Sequence, residues 1–135
     1  MTAQLQSFPN GGLAVVFGAS GGIGHAVQTA LVKSGQFEQV LGLSRAAGDF
    51  DLTDEASIAG AADRIVEIGL PLRLVVVATG LLHDDTMQPE KSWRHLDADN
   101  LARSFAINAT GPALLAKHLL PLLPRHGKAV FAAIS

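Results

Sequence analysis

The junction at which Leu13–Phe17 (LAVVF) runs into GASGGIG at residues 18–24 constrains the fold more than any other feature of the sequence. A short apolar, β-branched run of this kind reads as a strand buried on both faces. Beyond it Ile23, Val27, Ala30 and Leu31 recur at helical spacing to about Val32, and Gly35 stands where a helix ends. Strand, glycine turn and helix together form the context in which backbone can cradle a pyrophosphate. Without Cβ atoms the turn can approach phosphate oxygens closely. Its N–H groups and the positive helix end at Ile23 and Gly24 would stabilise the negative charge. The alternative is a tight turn that needs glycines for packing alone. The spacing is Gly-x3-Gly-x-Gly (Gly18, Gly22, Gly24), not the Gly-x-Gly-x2-Gly of the broader dinucleotide fingerprint.

The remainder of the chain continues the alternation. Val40–Leu43 predicts a second strand ending at Ser44 and Arg45, and Thr53 or Asp54 caps a helix running to about Ile68, where Gly69 and Pro71 break it. Leu72–Ala78 (LRLVVVA) is the most hydrophobic strand, and any further strand before it must be very short and lie near Phe50–Leu52. The polar stretch between Leu81 and Asp99 reads as a surface loop with at most a helical turn. Asp97 or Asp99 then caps a long helix from about Asn100 to Leu123, and Ala129–Ile134 closes the chain as a strand. Strands alternating with helices imply right-handed βαβ crossovers. The expected fold is α/β, a doubly wound parallel sheet of Rossmann-like type, in one domain spanning residues 1–135.

Composition narrows the partners. Apolar residues make up 48% and charged residues 16%, which excludes a disordered tail and is enough for a packed core. A net charge of −2, with no run of Lys or Arg, offers no footprint for nucleic acid or an anionic membrane surface. No apolar run reaches the ~18 residues of a membrane span. The N-terminus carries no signal-peptide pattern, and the absence of Cys removes disulfide and thiolate readings. A soluble, cytoplasmic protein is expected. His83, Asp84 and Asp85 are adjacent on a loop without ligand geometry, so they read as a solvated turn, and no metal is expected. His25, His95, His118 and His126 read as surface or helix-end residues.

With GASGGIG as it stands, the chain resembles the short-chain dehydrogenase/reductase family, and the resemblance extends along its whole length. Such a likeness implies a nicotinamide dinucleotide held by Gly18, Ser20, Gly22, Ile23 and Gly24. After the second strand, where an acidic residue would favour NAD through the adenosine ribose, this sequence has Ser44 and Arg45. A charge-assisted contact from Arg45 to a 2′-phosphate is worth about 1.5 to 3 kcal/mol, roughly ten- to a hundredfold in affinity. The reading is therefore NADP in preference to NAD, with Arg45 as a solvated loop residue the alternative. Gly21 stands where NADP-preferring members often carry a second basic residue. Asp51-Leu52 resembles the family's adenine-contacting pair, although Asp51 also suits a carboxylate at a helix start. Val77-Ala78-Thr79-Gly80 takes the place of Asn-Asn-Ala-Gly: both Asn residues are missing, and Gly80 leaves room for backbone approach, so Ala78, Thr79 and Gly80 are assigned to the cofactor. Asn108, in Asn-Ala-Thr-Gly-Pro, resembles the family's catalytic helix Asn. Pro112 has no N–H to donate to the carbonyl of Asn108, which is left to hold a water for a proton relay; the other reading is a simple kink. Residues 81–123 resemble a subgroup of C-factor-like and carbonyl-reductase-like members.

The family's proton donor is a Tyr in a Tyr-x3-Lys motif, and this sequence contains no Tyr. Ser135 stands at or beside the region of the catalytic Ser. The resemblance thus implies the dinucleotide-binding part of an oxidoreductase interconverting a carbonyl and an alcohol, incomplete at its C-terminal half, with a homodimer expected through the long helix. Losing general acid catalysis alone typically costs about 10²- to 10⁴-fold. A non-catalytic NAD(P)-binding sensor or interaction module is the competing reading, and an epimerase or dehydratase relative, disfavoured by the glycine spacing, is a third. A coding extension carrying Tyr-x3-Lys would decide for the enzyme.

Overall fold

The computed structural model describes residues 5–80 and 90–134. Strands β1 (Leu13–Phe17), β2 (Gln39–Leu43), β3 (Leu72–Val77) and β4 (Val130–Ala133) form one parallel sheet in the order β2-β1-β3-β4. The chain leaves β1 for β2 on one side and then crosses to β3 on the other. The strand order therefore reverses between β1 and β3, and the crevice outside their C-terminal ends is where open α/β sheets bind ligands.

β1 is central, and all five of its residues are buried, as its uninterrupted apolar run predicts. Alternate residues serve two cores. Leu13, Val15, Phe17, Val75 and Val77 pack under α2 (Glu55–Ile68) and α4 (Gly111–Leu119), whereas Ala14, Val16, Leu74 and Val76 pack with Leu31 of α1 (Gly22–Ser34) on the opposite face. Helices thus cover both faces, as expected of a doubly wound sheet. A register shift where Leu13 meets Leu72 but Ala14 meets Leu74 adjusts the alternation at Arg73. The Arg73 guanidinium then donates to the carbonyl of His126 at 2.8 Å.

The helix boundaries follow their caps. Gly35 (φ 66°) and Gly69 (φ 75°) close α1 and α2 in the left-handed conformation, each donating its N–H to the carbonyl three residues earlier. Of the two candidates at the start of α2, Asp54 is the cap, accepting from the N–H of Ala56. Likewise Asp97, and not Asp99, caps α3 (Ala98–Phe105) by accepting from the N–H of Asn100.

Two expectations are corrected. Phe50–Leu52 forms no strand: the N–H of Asp51 goes to Ser57 Oγ at 2.8 Å, and the segment is a loop pinned to the start of α2 with Phe50 and Leu52 buried beneath it. Nor is 100–123 one α-helix. α3 widens into a π-helical turn over Ala106–Thr110, with the Gly111 N–H on the Ala106 carbonyl; α4 follows, and a 3-10 turn at Leu120–Leu122 ends the column. The absent N–H of Pro112 lies at the second position of α4, where a missing donor is tolerated.

Candidate functional site

The glycine turn is anchored from β2: the N–H groups of Gly18 and Ala19 both donate to the carbonyl of Leu43, at 2.8 and 3.2 Å. Its glycines do different things. Gly18 (φ 84°) lies so close to β3 that a Cβ there would come 2.8 Å from the Ala78 carbonyl oxygen, and a Cβ on Gly24 would strike the Gly18 carbonyl oxygen. These two close the turn against the sheet and α1 against the turn. At Gly22 a Cβ would meet nothing within 4 Å, and Gly21, the residue capping α1, brings no side-chain cap bond. No side-chain cap therefore occupies the first-turn N–H groups of α1, and Gly22 and Ile23 line a cavity at this positive end of the helix.

The loop after β2 builds the neighbouring wall. Ser44 is buried; its N–H donates to Asp49 Oδ1 at 2.9 Å and its hydroxyl accepts from the Ala47 N–H at 3.2 Å, which folds residues 44–49 on themselves and leaves Arg45 exposed. Asp51 Oδ1 accepts from the hydroxyl and the N–H of Thr53, at 2.7 and 2.9 Å. Those two bonds, the hydroxyl first, hold the Asp51 carboxyl below the usual carboxylate range, with the charge of Arg45 adding to them and burial opposing. Leu52 points inward and fills the space over Gly111, where a Cβ would collide with it.

The third wall comes from the end of β3 and the α3–π segment. Arg103 and Ile107, one turn apart on one helical face, line the same cavity as Arg45 and Asp51. Asn108 lies next to them: its Nδ2 donates to Ser104 Oγ at 3.2 Å, and its Oδ1 lies 3.6 Å from where a Cβ on Gly80 would stand.

Two cavities result. One of about 310 Å³ is lined by Gly18, Ser20, Ser44, Arg45, Asp51, Leu52, Ala78, Thr79 and Gly80 together with Gly21, Phe50, Thr53, Arg103 and Ile107. A second, of about 390 Å³, is lined by Gly21, Gly22, Ile23, Ala78, Thr79, Gly80 and Ile134. They share Gly21 and residues 78–80, so the cleft runs from Arg45 past the glycine turn to Ile23, around the ends of β1 and β3. Of the residues assigned from sequence to the cofactor or to catalysis, all but three line it. Gly24 lies behind the turn as a packing contact, Asn108 borders the cleft through Gly80, and Ser135, like His83, Asp84 and Asp85, lies outside the described residues. Sequence reading missed Phe50, Thr53, Arg103, Ile107 and Ile134. The spacing of Arg103 and Ile107 on the helix that carries Asn108 was the available signal. An uncapped helix start beside open glycines, a cation at one end and a buried Thr79 hydroxyl without a partner fit a long, polar, anionic ligand. A nicotinamide dinucleotide has that form.

Among the described residues no helix is long and apolar enough to cross a membrane. No curated protein matches the sequence. Solved structures do. A ketoreductase from the first module of phoslactomycin biosynthesis in Streptomyces sp. HK803 is 26% identical, with a TM-score of 0.73 over 100% of this chain and 33% of that one. The aldohexose dehydrogenase of Thermoplasma acidophilum, 18% identical, superposes with a TM-score of 0.74 over 93% of this chain and 49% of its own. A small-chain dehydrogenase in complex with NADPH, 22% identical, gives 0.69 over 90% and 50%. This chain thus spans about half the length, or less, of these relatives. Residues 26–135 match the family model described as enoyl-(acyl carrier protein) reductase, and with this match the chain belongs to the short-chain dehydrogenase/reductase oxidoreductases.

Proposed function

We propose that this chain is the dinucleotide-binding half of an NADP(H)-dependent oxidoreductase that interconverts a carbonyl and an alcohol, of the C-factor-like or carbonyl-reductase-like kind. The observation that carries the reading is the continuous cleft around the ends of β1 and β3, with the exposed Arg45 guanidinium at one end and the open glycine turn at its middle. The N–H groups at the start of α1 hold the pyrophosphate, Arg45 takes the 2′-phosphate, and Asp51 and Leu52 border the adenine. The nicotinamide, when bound, supplies or accepts the hydride. Asn108, beside Gly80 at the far side of the cleft, orders a water for proton relay. With no Tyr in this sequence, the proton donor comes from outside these 135 residues. The working assembly is a cytoplasmic homodimer, and the substrate is a small carbonyl or alcohol.

Calorimetric titration of the chain with NADP and NAD, repeated on Arg45→Ala, tests the assignment. NADP should bind more tightly than NAD, and the substitution should weaken NADP about tenfold or more while leaving NAD nearly unchanged. Equal affinities for the two nucleotides in the unmodified chain would refute the 2′-phosphate assignment. A chain that binds neither refutes the dinucleotide site.

A further inference from the structure

Of the Asn residues at 10, 100 and 108, only Asn10 is followed by Gly. In such a pair the second residue has no Cβ, so little hinders its backbone nitrogen from reaching the Asn side-chain carbonyl carbon. Asn10 is exposed, and Gly11 holds φ 79°, a left-handed conformation that favours glycine. The fold thus retains the neighbour that makes Asn10 vulnerable. Both reacting groups are engaged by Gln36. The Gly11 N–H donates to the Gln36 carbonyl at 3.0 Å, and Gln36 Nε2 donates to Asn10 Oδ1 at 2.9 Å and to the Phe8 carbonyl at 2.9 Å. Those two bonds use both hydrogens of the side-chain amide. Gln36 is itself fixed to the end of α1: it follows Gly35, its N–H donates to Ser34 Oγ at 3.3 Å, and the adjoining Phe37 ring is buried against Phe8 at 5.4 Å between centroids. From the other side Lys128 Nζ donates to Ser7 Oγ at 2.6 Å and lies 4.4 Å from the centre of the Phe8 ring. Residues 7–11 are therefore held at the pole opposite the cofactor cleft.

We infer that Asn10-Gly11 is a self-modification site and that Gln36 is the group that keeps it closed. In the reaction the Gly11 nitrogen loses its proton to solvent and forms a bond to Asn10 Cγ. The Cγ–Nδ2 bond breaks, and Nδ2 leaves as ammonia with a proton from solvent. Water then opens the cyclic imide at either carbonyl, which leaves an aspartyl or an isoaspartyl residue. One water is consumed, one ammonia is released, and nothing is oxidised or reduced. Donation to Oδ1 alone would sharpen the electrophile, but ring closure must first release the Gly11 N–H from Gln36. The rate therefore follows the population in which this segment has opened.

The full chain, Gln36→Ala, Gln36→Glu and Gly24→Ala are incubated at mildly alkaline pH beside a synthetic peptide of residues 7–13 (SFPNGGL). Peptide mapping reads the amide-to-acid mass gain at Asn10, and chromatography separates the aspartyl and isoaspartyl products. Asn10 in the parent should convert roughly tenfold or more slowly than in the peptide, as expected where opening breaks hydrogen bonds. Gln36→Ala should raise the rate about 5- to 30-fold, the factor for one to two lost hydrogen bonds. Gln36→Glu, which keeps the size of the side chain and loses its N–H donors, should accelerate it too. Gly24→Ala, which strains the far end of α1, should leave the rate within about twofold, because the opening is local. A parent that converts as fast as the peptide overturns the inference, since the contacts then protect nothing. Gln36 variants no faster than the parent also overturn it. Equal acceleration by Gly24→Ala and Gln36→Ala overturns it as well, because the route is then global unfolding.

Discussion

At Gly24 a methyl group would run into the carbonyl oxygen of Gly18, whereas at Gly22 it would meet nothing within 4 Å. The same substitution should therefore fail in opposite ways at two positions of one motif. Gly24→Ala forces α1 away from the turn and should lower unfolding stability by about 1 to 3 kcal/mol, the usual cost of overpacking. Gly22→Ala lies in the first turn of a helix, where Ala is the better helix former, so stability should hold or improve slightly. With phosphate oxygens occupying the open space, however, nucleotide affinity should drop. Denaturant unfolding and NADP titration on the two variants check both halves. An Ala at position 24 that leaves stability untouched would show that the turn can shift, and would remove the packing role assigned to that glycine.

At the level of elements, α2 and α4 are tied across their shared face by Glu55, whose Oε1 accepts from Lys117 Nζ at 2.7 Å and lies 3.0 Å from His118 Nε2. Those contacts, Lys117 first, hold the Glu55 carboxyl below the usual carboxylate range. A carboxyl depressed in the folded state adds stability above its unfolded value, near 4.3, and that contribution fades as pH falls through the lower folded value. The difference in Tm between the parent and Glu55→Gln should accordingly be small at neutral pH, as for any exposed pair, and vanish on acidification below that range. A constant difference across pH would assign the effect to packing. His118, read from sequence as a surface or helix-end residue, stands in the last turn of α4 and is also a partner in this staple. Elements marked by caps and period were legible in sequence: the run Leu13–Phe17, the glycines at 35 and 69, the carboxylates at 54 and 97. The π-helical turn was not, because Pro112 signals a missing donor without saying how the backbone redistributes the remaining bonds. The separate roles of Gly22 and Gly24 were also hidden, since they depend on where the Gly18 carbonyl lies in space. For the same reason the orphaned Thr79 hydroxyl, defined by what fails to approach it, leaves no trace in a sequence pattern.

At the scale of the whole molecule, the sheet is asymmetric. Among the described residues β4 pairs with β3 alone, and β4 (VFAA) carries neither charge nor proline to discourage a further strand. On the helical side Phe105, at the end of α3, is 64% exposed and Leu120, after α4, is 50% exposed. Two routes to self-association follow, strand addition at β4 and helix docking over α3 and α4, and they respond to different changes. Ala133→Lys places a charge on an exposed residue of the edge strand, and Phe105→Glu places one on the helical face. Sedimentation velocity over a range of concentrations should find the parent chain associating. A chain that remains a monomer throughout would mean that neither surface is adhesive. Dissociation by Phe105→Glu alone fits the helix-mediated homodimer proposed above. Dissociation by Ala133→Lys alone identifies the edge of β4 as the adhesive surface and sets that homodimer aside. Because β4 adjoins β3, whose end carries Thr79 and Gly80, pairing at that edge would also stiffen the floor of the cleft. NADP should then bind more tightly to the associated form, and by the same linkage NADP should favour association.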